Sequence, residues 1–495
     1  MAKCLIGNSV IFIPVLTIAE TLAIIQKPHR KEMRNYPITI ILLALICFGC
    51  KQTKECDLLI ENANVLDVET GEILQNKTLI VTNGIIQNIL DEPTDYEGIE
   101  SIDAKGKLVT PSFIDTHIHP TDVFGDREKA PKSLNDNSRK KLSNEYLPFG
   151  TTTTLMIGQP EDWLDTILYW QKNQNSNFVD VFTTGGAIIS KENREPYIGH
   201  SVVANSSEAK AKVIEYYNRG INHIKLYYRL NNPEFQSAFE TADSLNMNIY
   251  GHIGGFNLEN QTIDKTLSIG LKNYEHLGII PNSVLSEKED WDIVNKLFSE
   301  KFGELNSESR VIEYLLELFR YAEIHKKDEL NKFIEQLSIE KVSFSTTLHF
   351  LYQQFGETYF TKPLDTTLTK EQTERCFENF KILMQNTKKM YDKGVEIRLG
   401  SDMVNGGKAN LSELILLCEY GFSVNDAFKI ASLNGAKAIG IENEVGTLKK
   451  GRKANLIIWE KSPFDDIKNF TSEKIIIKGG KQLHRNSTIA NNVYN

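Results

Sequence analysis

A (β/α)8 TIM barrel with a small β-sandwich domain built from both chain ends is the α/β fold this sequence predicts. Three observations carry that expectation. From about Pro111 to Gly440 the chain alternates apolar strand-like runs with amphipathic helical ones, the pattern of a parallel sheet with helical crossovers. Eight such runs occur there, the number that closes a barrel. Both ends read instead as short β-strands, and 495 residues leave room for a barrel plus a smaller domain.

Bulk composition narrows the class. Hydrophobic content of 41% and charged content of 24% are those of a globular chain. The net charge of −9 is spread without a basic patch, so no nucleic-acid partner is expected. The 6 cysteines form no metal-binding framework and no disulfide scaffold, so any metal would rest on histidine and carboxylate.

Residues 1–50 read as a leader. Ile38 to Cys47 is an apolar run preceded by Arg34 and closed by Phe48-Gly49-Cys50. A basic start, a short apolar stretch and a small residue before cysteine are the features of a bacterial lipoprotein signal over 33–49. Cys50 would then carry the lipid and anchor the protein to a membrane of the bacterial cell envelope. Cys47 departs from the Leu or Val usual at that place. A second apolar stretch, Leu5 to Ile25, is separated by the basic segment Lys27 to Arg34, which would also suit a two-span hairpin. We read Met33 as the true start.

The β domain is expected over 56–110 and 441–495. Leu58-Leu59-Ile60, Asn64-Val65-Leu66, Thr78–Val81 and Gly84-Ile85-Ile86 are its first strands, and Asn83-Gly84 is a hairpin turn signal. Leu456–Trp459 and Lys474–Ile477 follow at the other end.

Within the barrel, 111–440, the expected strands are Phe113–His117, Thr152–Ile157, Val179–Thr183, His223–Tyr228, Ile249–His252, Lys272–His276, Val342–Thr347 and Glu396–Gly400. Glu208–Asn218 and Thr373–Lys393 are clear amphipathic helices, and 286–339 reads as a helical insertion too long for an ordinary loop.

Polar residues gather where these strands end. His117 and His119, two apart on a strand, project to one side. Lys225, His252, His276 and Asp402 lie near the C-terminal ends of strands four, five, six and eight, the catalytic face of barrel enzymes. Singly, each has an ordinary explanation: a hydrogen-bonded core histidine, a snorkelling lysine, a helix-capping aspartate. Together, burying them unpaired would cost several kcal/mol each. A divalent metal would remove that cost, with imidazole and carboxylate as its ligands. Lysine fits once CO2 has carboxylated it to a carbamate, whose two oxygens can bridge two ions.

These motifs, Asp115-Thr116-His117-Ile118-His119, Ile224-Lys225, the single histidines, Leu399-Gly400-Ser401-Asp402 and the tail Ser432–Gly440 with Val445–Gly451, resemble the amidohydrolase superfamily from about Asp57 to Ile467. The narrower likeness is to its imidazolonepropionase-like and prolidase-like members. The resemblance implies two divalent ions, zinc the expected metal, bridged by carboxylated Lys225. His117, His119, Lys225 and Asp402 would hold the inner ion, and His252, His276 and the second carbamate oxygen the outer one. A metal-bridging hydroxide would be the nucleophile, with Asp402 as proton acceptor and donor. His200, in Gly199-His200, would act at the substrate carbonyl, and Tyr228 and Arg229 would meet a substrate carboxylate. Ser112 and Asn455 depart from the family's usual Gly and Asp, away from the proposed ligands.

The expected activity is hydrolysis of an amide-type C–N bond in a small molecule: a dipeptide, an N-acyl amino acid or a cyclic amide. A lactonase or esterase would use the same ligands. A deaminase of the superfamily would carry glutamate three residues after His252, where this chain has Gly255, and would not need Lys225. A non-catalytic surface binding protein would be expected to have lost ligands that are all present here.

Overall fold

Strands buried on both faces of a parallel sheet need apolar residues pointing both ways, which is why these segments run apolar without alternation. In the computed structural model, which describes residues 2–6, 9–13, 54–91, 95–125, 130–191, 198–254, 261–305 and 310–483, strand one is Phe113–Ile118 and strand two Thr151–Met156. Strand three comes in two pieces, Asp180–Thr183 and Ala187–Ser190. Strands four to eight are His223–Tyr227, Asn248–His252, Asn273–Tyr274, Ser343–Ser345 and Glu396–Arg398. All neighbouring pairs among them are parallel.

The two pieces of strand three divide its pairing, the first joining strand two and the second strand four. At the far ends, Thr116 N–H donates to Leu399 O at 2.8 Å and Asp402 N–H to His117 O at 2.9 Å. The chain leaving strand eight therefore lies along strand one. A further short strand, His200–Val203, adds parallel to Ala187–Ser190.

Local chemistry starts the helices. Asn205 Oδ1 accepts from Glu208 N at the head of Ser206–Asn218, and Thr369 with Gln372 forms a reciprocal capping box before Lys370–Asp392. Among the described residues the insertion forms three helices, Lys288–Phe302, Val311–His325 and Lys327–Ile339. Its middle helix packs on Lys370–Asp392, where buried Glu317 accepts from Arg375 at 2.5 and 2.8 Å and from Asn379 at 2.6 Å. The insertion is thus fastened to a flanking helix by a bidentate, partly buried ion pair, the strong kind.

Both chain ends contribute to one eight-stranded sheet. Leu456–Trp459 pairs antiparallel with Leu108–Pro111, which pairs parallel with Lys54–Leu66. Leu456 and Ile458 join a satellite core with Leu58, Ile60 and Val109, while Ile457 and Trp459 face the main core. Asn83 and Gly84 have φ of 53° and 73°, the two positive values of the tight hairpin turn between Ile73–Thr82 and Ile85–Leu90. Trp459 links the terminal sheet to strand one, its Nε1 donating to Thr110 Oγ1 at 2.9 Å and its ring 6.1 Å from that of Phe113.

Residues Met1–Lys54 form a separate unit, in which Ala2–Ile6 pairs antiparallel with Ser9–Ile13. Met33, the run Ile38–Cys47 and the expected lipid-bearing Cys50 lie outside the described residues. Among the described residues, no helix is long and apolar enough to cross a membrane.

His223, at the start of strand four, is buried between Phe182 and Tyr250, and burial lowers its imidazole from 6.5 to about 4. The folded state therefore favours the neutral ring, while the unfolded chain protonates near 6.5. Its stabilising contribution is full above that value and falls away as pH drops towards 4, by about 3 kcal/mol at most. Urea unfolding of metal-free protein at pH 7 and pH 4.5 should show a smaller acid-side loss for His223→Gln than for wild type; equal losses would contradict the assignment.

Candidate metal centre

Six polar groups meet at the C-terminal ends of the parallel strands. His117 is fully buried, and His119, one residue past strand one, is nearly so. Lys225 lies in mid-strand four with 0% exposure, its Nζ donating to Ile157 O at 3.3 Å. His252 closes strand five, His276 follows strand six and Asp402 follows strand eight.

Their spacing is that of ligands around ions. Asp402 Oδ1 lies 3.4 Å from His117 Nε2 and 3.4 Å from His119 Nε2. His276 Nε2 lies 3.2 Å from His252 Nδ1. Two ligand atoms each about 2.0–2.1 Å from one tetrahedral ion stand roughly 3.3 Å apart, so all three edges suit shared ions. Ligand atoms of His117, His276 and Asp402 also fall within 4.8 Å of one another. His117 Nε2 is buried and has no hydrogen-bond partner among the described residues, a costly state for a ring nitrogen unless it ligates something. The residues present fit a divalent metal.

Electrostatics agree. Burial pushes His117, His119 and His252 well below the usual imidazole range, with neighbouring positive groups adding to the effect. His276 falls to about 3 for the same reasons. Neutral imidazole is the ligating form. Burial lowers the Lys225 ammonium, opposed by Asp402, and raises the Asp402 carboxyl, opposed by Lys225.

Behind the ligands stands a second layer that sequence reasoning did not single out. Glu275, fully buried, accepts from His117 Nδ1 at 2.5 Å and through its other oxygen from Arg398. This fixes the proton on Nδ1 and leaves Nε2 aimed at Asp402, as outer carboxylates do for metal-binding histidines. Arg398 also donates to Tyr274 O at 3.3 Å and Ser343 Oγ at 3.2 Å. Asp115 accepts from Ser401 N at 3.1 Å, Ser401 Oγ at 2.6 Å and Asn410 Nδ2 at 3.0 Å, tying the segment before Asp402 to strand one. The detectable signal was opposite charges, Glu275 and Arg398, beside strands otherwise apolar.

Backbone shape matters at one glycine. A Cβ on Gly400 would come within 2.7 Å of His117 Cβ, so only glycine lets strand eight approach the histidine this closely.

The proposed substrate residues divide. His200 is buried, its ring 4.9 Å from that of Tyr227, which in turn lies 4.6 Å from His252. Tyr227 shares the Lys225 face of strand four and was not among the expected residues; the period of two marks it. Tyr228, the expected one, lies in the turn after the strand with its ring 5.1 Å from His252. Arg229 follows it, half-buried. Gly255 lies outside the described residues.

Comparison with known proteins adds the family. Residues 362–481 match the model of the amidohydrolase family. Over 412 residues the chain is 21% identical to an imidazolonepropionase of Picrophilus torridus, covering 80% of this chain and 88% of that one. These matches support a member of the amidohydrolase superfamily. A dihydroorotase of Carboxydothermus hydrogenoformans is 30% identical over 131 residues, 26% of this chain and 28% of the relative. That match and those to several adenine deaminases span only 10% to 38% of the relatives' own length. In fold, the chain resembles a Xaa-Pro dipeptidase crystallised with methionine in its active site, with TM-score 0.57, 16% identity, and coverage of 86% of this chain and 100% of that one.

Glu275→Ala should cost about 3–5 kcal/mol in urea unfolding of metal-free protein, because it strands the Arg398 charge in the interior. A loss below about 1 kcal/mol would show that the pair is not buried as described.

Proposed function

We propose that the parallel strands close as a (β/α)8 barrel beside a terminal β-sandwich, and that the barrel mouth is a two-metal hydrolase site. Its substrate would be a small molecule with an amide-type C–N bond. The observation that carries this reading is the set of three ligand-to-ligand separations, 3.4, 3.4 and 3.2 Å, with Lys225 buried nearby. His117, His119, Asp402 and carboxylated Lys225 would hold one ion, and His252, His276 and the other carbamate oxygen the second. Bound there, divalent ions, zinc first among candidates, supply acidified water and polarise the scissile carbonyl.

The chain's own groups do the rest. Burial favours the free amine of Lys225, whose lone pair forms the N–C bond to CO2 as one proton leaves to solvent. Asp402, its carboxyl raised by burial, takes the proton of the attacking water and returns it to the departing nitrogen. His200 donates to the substrate carbonyl oxygen as negative charge develops there. Tyr228 and Arg229 would receive a substrate carboxylate.

The Xaa-Pro dipeptidase and imidazolonepropionase among the similar proteins support a dipeptide or cyclic amide as substrate. Deamination has the adenine deaminase matches in its favour. Against it stand buried Lys225 and Gly255, where a deaminase would carry glutamate. A lactonase or esterase would need the same ligands.

A screen of dipeptides, N-acyl amino acids, cyclic ureides, lactones and adenine against zinc-loaded protein tests the proposal. C–N hydrolysis without ammonia release from adenine is expected, falling at least about 100-fold in Asp402→Asn. Turnover confined to lactones, or to adenine, would overturn it.

A further inference from the structure

We infer that Thr347 is a positioning residue that sets the aim and tautomer of His276. The inference rests on the two-metal reading and goes beyond it, to a residue just past strand seven, which supplies none of the proposed ligands.

Thr347 follows strand seven in the left-handed conformation, φ 48° and ψ 35°. For a β-branched residue this backbone shape is a true outlier, and glycine or asparagine would hold it more easily. The surroundings hold it in place. Thr346 N–H donates to Arg398 O at 3.0 Å and Thr347 N–H to Gly400 O at 3.1 Å. Two residues on, His349 N–H donates to Oε1 of Glu413 at 2.7 Å. Glu413 is itself fully buried on the helix Gly406–Glu419. Strained residues kept against their preference concentrate at working sites, and here the strain coincides with a contact. Thr347 Oγ1 lies 3.0 Å from His276 Nδ1.

That contact decides what His276 can do. Its Nε2 faces His252 Nδ1 at 3.2 Å, the separation of two ligands on one ion. To ligate, Nε2 must present a lone pair, so the ring proton must sit on Nδ1, where Thr347 Oγ1 is the acceptor. Glu275 performs the corresponding service for His117 Nδ1. The neighbouring positions carry related strain: His276 and Asp402 have φ of 68° and 50°. Strands six and eight thus also end in positive-φ residues without glycine, each a proposed ligand. Thr347 completes the series as the residue that supports a ligand.

Zinc titration of chelator-stripped protein against a chromophoric competitor, paired with melting of the metal-free form, tests this. Thr347→Val keeps the branched shape and removes the hydroxyl; Thr347→Ser keeps the hydroxyl. The expected result is one of two zinc ions bound about 10- to 100-fold more weakly by Thr347→Val, with binding by Thr347→Ser as in wild type. Metal-free melting of Thr347→Val should stay within a few degrees of wild type, and Thr347→Ala serves the same comparison should the valine variant not fold. Valine and wild type binding both ions alike, or serine losing as much as valine, would overturn the inference. Wild type that takes up no zinc would overturn this inference and the two-metal reading together.

Discussion

Desolvation at the C-terminal ends of the parallel strands is the constraint on which the rest of this structure depends. His117, His119 and Lys225 are almost wholly shielded from water, and His252, His276 and Asp402 lie close around them. In such surroundings each charged form is disfavoured, which is why the imidazoles are driven neutral and the carboxyl of Asp402 is raised. A cluster of groups made neutral and left short of partners is poor for stability. It is a good description of a ligand set, where lone pairs rather than charges do the binding.

The same constraint accounts for what surrounds the cluster. A flexible imidazole at a dry site could turn away or carry its proton on the wrong nitrogen. Glu275, held in turn by Arg398, removes that freedom from His117. Asp115 pins Ser401, and through it the turn that carries Asp402 at φ 50°. Gly400 removes the Cβ that would keep strand eight away from His117. The architecture spends backbone strain and a buried ion pair at one end of the strands, while at the other end Phe113 and Phe428 pack against Trp459 of the terminal sheet.

Much of this could be read before any coordinates. The i, i+2 histidines share a face because a strand has a period of two, and Asn83-Gly84 makes its turn because both residues tolerate positive φ. Side-chain period marks Tyr227 as well: two residues from Lys225 on the same strand means the same face. Glu275 and Arg398 were visible as charges but not as a pair, since 123 residues separate them and only the ring of strands brings them together. The two departures from the expected pattern meet in the same way, with Ser112 N donating to Asn455 O at 3.1 Å where strand one and the terminal sheet join. Thr347 gave no sign at all, because nothing in a sequence announces a threonine held in the left-handed conformation.

The central claim is that Lys225 joins two ions into one site. Metal analysis of the purified full chain, by mass spectrometry after exhaustive removal of loosely bound ions, addresses it directly. The account predicts about two zinc-like ions per wild-type chain and fewer than about one after Lys225→Ala. Wild-type protein without bound metal, or a Lys225→Ala variant that keeps its full complement, would contradict it.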